Sequence, residues 1–137
     1  MAASASWTLQ AAIFGTLTGN ATLLALLGGA HVYDGAPQSA AFPYVTLGQS
    51  NAADWGADGG DGEEHILTLH VWSEAGRRKE ALAIMVAIRA VLHDAALALS
   101  GHRLVNLRQE FADIRREADG ELVHGTLRYR AVTEPLA

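Results

Sequence analysis

Residues Gly62–Ala95 read GEEHILTLHVWSEAGRRKEALAIMVAIRAVLHDA, and the change of period inside this stretch decides the fold. From His65 to Ser73 the residues alternate, with Leu67, Leu69 and Val71 on one side and Ile66, Thr68, His70 and Trp72 on the other. Period two marks a strand with one buried face. From about Arg77 the period becomes helical and places Ala81, Ile84, Met85, Ile88, Val91, Leu92 and Ala95 on one stripe. A half-buried strand therefore runs almost directly into an amphipathic helix, and their two apolar faces imply a shared core.

Working outward, Ser100-Gly101 closes the helical region. Arg103–Arg116 and Leu122–Val132 are two longer predicted strands, joined around Asp119-Gly120, a hairpin signal. In the second of them Val123, Leu127, Tyr129 and Ala131 face the core, and His124, Thr126, Arg128 and Arg130 face away. Toward the N-terminus, Ser6 is a candidate cap for a helix with Leu9, Ile13 and Leu17 at i, i+4. Gly19-Asn20 ends it and starts a second short helix, Ala21–Leu27, which Gly28-Gly29 closes. His31–Tyr33 and Tyr44–Gln49 read as strands, and Asn51–Gly62, rich in Gly, Asp and Ala, as a long loop that reaches a neighbour. The predicted fold is α+β: a mainly antiparallel sheet packed against one long helix, with two short N-terminal helices. Its length, 137 residues, predicts a single domain over 1–137.

Composition narrows the chemistry. With no cysteine there is no disulfide framework, thiolate metal site or cysteine nucleophile. The net charge of −5 hides an asymmetry: every charged residue before Arg77 is acidic, and ten of the eighteen from Arg77 onward are basic. Such a division bears on association more than on fold. Met1–Tyr33 carries no Asp, Glu, Lys or Arg, but Gln10, Gly15, Thr16, Thr18, Gly19 and Asn20 interrupt it, so two buried helices are expected and no membrane span.

No catalytic or metal motif is present. The histidines show no HExxH or paired spacing, and His65 and His70 fall on opposite faces of one strand. DWGADGGDGEE, from Asp54, lacks the ligand spacing of a calcium loop. No GxGxxG or phosphate-loop lysine follows a strand, and Ser50 in GQSNA lacks the second glycine of a nucleophile elbow. No enzyme activity, metal or cofactor is expected; a small hydrolase is the remote alternative. The candidate contact residues are Trp55 and Trp72, as aromatic anchors or as rings buried under a loop. To these we add Asp58 and Asp61 in the acidic segment, Arg77 and Arg78 at the helix start, and Arg128 and Arg130 on the outward strand face. Arg77, Arg78 and Lys79 sit where a helix dipole disfavours cations, which suits either an acidic partner or a solvated face balanced by Glu74 and Glu80.

The ordered set ALLGGAHVYDGAPQ, FPYVTLG, the acidic Gly-rich segment, HILTLHVWSEAGRRKEA, LHDAALALSGHRLVNL and DGELVHGTLRYRAVTE resembles the DUF3168 family. These are tail completion, or tail terminator, proteins of tailed phages, prophages and gene transfer agents. The resemblance spans about Leu23 to Glu134. It implies a structural virion protein, assembled in the bacterial cytoplasm, that forms a ring, typically a hexamer, at the head-proximal end of the tail tube. The implied partners are other copies of the chain, the tail tube protein and a head connector or neck protein, with DNA crossing the lumen without sequence-specific binding. A head-closure protein is the alternative within that setting.

Overall fold

The computed structural model of the chain describes residues 4–56, 61–117 and 120–136. Three helices, α1 (Ala5–Thr18), α2 (Ala21–Leu27) and α3 (Arg78–Leu92), accompany six strands. The strands are β1 (Val32–Tyr33), β2 (Tyr44–Trp55), β3 (Gly62–Glu74), β4 (Ala98–Leu99), β5 (His102–Arg116) and β6 (Leu122–Pro135). They form one sheet in the order β1-β2-β3-β6-β5-β4. All pairings are antiparallel except β1 with β2, which is parallel.

This corrects the predicted architecture. Among the described residues 46% lie in strands and 28% in helices, and the sheet curls into a mixed half-barrel carrying three helices. It is not a sheet packed against one long helix. Two misreadings account for the difference. First, α1 has 14 residues against 15 for α3, so no single helix dominates. Second, Asn51–Trp55, expected to be loop, continues β2 and pairs residue by residue with Gly62–Ile66 of β3. Those residues are exposed and, Trp55 apart, small or polar, so apolar alternation could not reveal them; backbone pairing alone makes them strand.

Local chemistry explains the element boundaries. Ser4, and not Ser6, caps α1 by accepting from Trp7 N–H. Asn20 caps α2 in the same way through Leu23 N–H. Gly76, at φ 81°, takes the left-handed turn that lets β3 reach α3 within three residues. Helix α3 stops at Leu92, leaving Ala95 off the predicted stripe.

The core lies between the helices and one sheet face. Leu9, Ile13 and Leu17 of α1, Leu23 and Leu27 of α2, and Ile84, Ile88 and Leu92 of α3 meet Leu69, Val71, Leu107, Leu127 and Tyr129. Gly125 lets α3 come close: a Cβ there would sit 2.6 Å from Met85 Sδ. No single helix among the described residues is long and apolar enough to cross a membrane, and α1 and α2 bend by 74° where they meet.

Candidate interaction surface

The sheet face turned away from the helices gathers the chemistry. Register places Thr46, His70 and Thr126 in one row across β2, β3 and β6, and Tyr44, Trp72 and His124 in the next. Trp72 stacks on His124, with ring centroids 4.0 Å apart and planes 9° from parallel. On its other side Trp72 lies 6.4 Å from the Tyr44 ring, which in turn meets Phe42 and Tyr33. The indole N–H donates to Thr46 Oγ1 at 3.1 Å. Flat rings with satisfied polar edges on neighbouring strands rigidify this end of the face.

A polar relay runs beside that stack. His124 Nδ1 lies 2.7 Å from Glu117 Oε1, and its Nε2 lies 2.7 Å from His70 Nδ1. The neutral pair fits one tautomer set: His124 donates from Nδ1 to the carboxylate and accepts at Nε2 from His70 Nδ1–H. Burial holds the His70 pKa below the ordinary histidine value, with the nearby His124 and Arg115 acting in the same direction. His124 lies on the outward face as expected, yet is only 7% exposed. The aromatic stack is what covers it.

Farther along the same face, Arg128 lies over the Phe111 ring at 4.6 Å and approaches Glu110 at 3.4 Å. Arg130 Nε donates to Glu64 at 2.6 Å. Three of the predicted contact residues, Trp72, Arg128 and Arg130, thus share one face. The others lie elsewhere. Trp55 ends β2, 41% exposed, and backs onto Gly62, where any side chain would collide with it. Asp61 is exposed just before β3. Asp58 lies outside the described residues. Arg77 donates to Glu80 at 2.8 Å, while Arg78 begins α3. Glu80 also accepts from Ser73 Oγ at 2.8 Å and so ties the end of β3 to the first turn of α3.

The sequence reading missed the His70–His124–Glu117 relay as a unit, although it placed His70 and His124 on the outward face. The missing information was register, since the pair is 54 residues apart in sequence. His65 shows the opposite behaviour. Fully buried on the core face, it contacts Thr133 Oγ1 at 2.9 Å, and burial lowers its pKa. Among the described residues no group of three or more His, Asp or Glu side chains converges to hold a metal ion.

This face is built from ring stacks, internally satisfied histidines and paired arginines. Residues 11–134 match the family described as tail completion protein gp17, and the chain belongs to that family. It is a structural protein of the virion tail. A solved chain in the structure entitled "Virion of native gene transfer agent (GTA) particle" is 34% identical and superposes with a TM-score of 0.88. The match covers 96% of this chain and 98% of that one. A second solved chain, 13% identical with a TM-score of 0.57 over 94% of this chain and 96% of its own, shares the fold. No curated protein matches.

Proposed function

We propose that the chain closes into a ring, six copies by family resemblance, at the head-proximal end of the tail tube. There it ends tube polymerisation and offers a surface to the head connector. The observation that carries this reading is likeness over nearly the full length to a chain of a gene transfer agent virion, together with membership of the tail completion family. A closed ring needs heterologous contacts, and a chain whose first half is acidic and second half mixed with a basic excess supplies two unlike surfaces. Trp55 and Asp61 belong to the acidic surface, Arg77 and Arg78 to the boundary where the sign changes. In this arrangement Trp72, Arg128 and Arg130 lie on the face available to the lumen, where arginines already paired with Glu110 and Glu64 hold passing DNA only weakly. Deleting the gene tests the proposal. Tails of abnormal length, unjoined to heads, are expected; tails of normal length that carry heads would refute it.

A further inference from the structure

An acidic and a basic feature sit at opposite ends of β3. The strand begins at Gly62, paired with Trp55 of β2, and ends at Glu74, after which the turn at Gly76 leads into α3. About 40 Å of strand separates the two ends at the usual rise per residue. At the first end the arm formed by β2 and β3 presents Asp54 and Asp61, both exposed, beside the exposed ring of Trp55. At the other end α2 and α3 leave an open groove of about 510 Å³, lined by Ala25, Leu26, Arg77, Lys79, Glu80 and Ala83. Leu26 is a large apolar side chain left at the surface there. Glu80 is already held by Arg77 and Ser73, so Lys79 and its neighbour Arg78 set the sign of the groove. Among the described residues no carboxylate pairs with Arg78 or Lys79, and no cation pairs with Asp54 or Asp61.

Each end supplies what the other lacks. An exposed tryptophan flanked by carboxylates matches an apolar groove flanked by cations, in shape and in sign. Two arms repel each other, and so do two grooves, so like ends do not pair. The arm cannot reach the groove of its own copy, because the length of β3 holds them apart. The contact therefore forms only between copies, from one end of a subunit to the opposite end of the next. That is a heterologous contact, the kind that closes a ring.

We propose that the occupant of the α2–α3 groove is the β2–β3 arm of a second copy of this chain, with Trp55 seated against Leu26 and Ala83 and with Asp54 and Asp61 facing Arg78 and Lys79. This rests on the ring reading and assigns the contact that joins its subunits. The test is a charge swap on the full-length protein, read by sedimentation and native mass. Asp54→Lys with Asp61→Lys makes both ends basic, and Arg78→Glu with Lys79→Glu makes both ends acidic. Each double variant alone keeps the wild-type circular dichroism spectrum and self-associates more weakly by about tenfold or more. Mixed in equal amounts, the two assemble again to within about threefold of the wild type, in rings holding equal numbers of each, because every arm then meets a groove of opposite sign. Trp55→Ala in the wild-type background also weakens assembly by about tenfold or more. A mixture as weak as its components, or double variants that assemble like the wild type, overturns the arm–groove contact and leaves the ring standing. A wild-type chain that stays monomeric at every concentration overturns both.

Discussion

At the scale of the residue, the histidines carry the clearest solution behaviour. His65 and His70 are both held below the ordinary histidine pKa, chiefly by burial. The unfolded chain takes up protons at these positions as pH falls through about 6.5, whereas the folded chain resists. Stability from these sites is therefore full above that pH and is lost as pH drops toward the folded-state values. Melting temperature should fall between pH 7.5 and pH 5, and His65→Gln should flatten part of the fall; a melting temperature that stays level or rises on acidification would contradict the burial argument. The identity of these residues was plain in the sequence, and so was the face each takes, because period two fixes it. Their partners were not, because His124 meets His70 only through the β3–β6 pairing, and Glu117 reaches His124 only across the β5–β6 hairpin.

At the scale of the element, the stretch from β3 into α3 behaves as its periodicity foretold. Its buried positions Ala81, Ile84, Met85, Ile88 and Leu92 are the predicted stripe shortened at its C-terminal end. Ile84→Ala and Ile88→Ala should each destabilise the fold by about 2–5 kcal/mol, measured by denaturant unfolding, since both side chains are fully buried. A loss under 1 kcal/mol would mean that α3 does not close the core. Gly125→Val should cost about 1–3 kcal/mol by forcing Met85 and α3 outward. The far half of β2 was illegible for a physical reason. Strands announce themselves by burying one face, and Asn51–Trp55 buries neither. Similarly, the parallel β1–β2 contact involves two residues per strand, too few to leave a pattern in the sequence.

At the scale of the whole molecule, the division of charge matters more than any one pair. Arg77 and Glu80 form an exposed i, i+3 pair, whose loss stabilises or destabilises little. Acidic side chains at a helix N-terminus are also favoured by the dipole. Arg77→Glu with Arg78→Glu should therefore leave the melting temperature within a few degrees while weakening the ring, as read by sedimentation or native mass. Unchanged assembly would confine this junction to packing. The family was legible in the ordered motifs from Leu23 to Glu134, and the match over residues 11–134 extends that reach at the N-terminal side. The sheet-dominated architecture was not legible, because the longest pairings, β5 with β6 and β3 with β6, set its curl through register and bulges that no single segment encodes. The position of the chain in the particle is the central claim, and cryo-electron microscopy of the intact particle tests it most directly. The expected result is a closed ring of this chain between the tail tube and the head connector; finding it inside the capsid portal, or elsewhere along the tail, would contradict the proposed function.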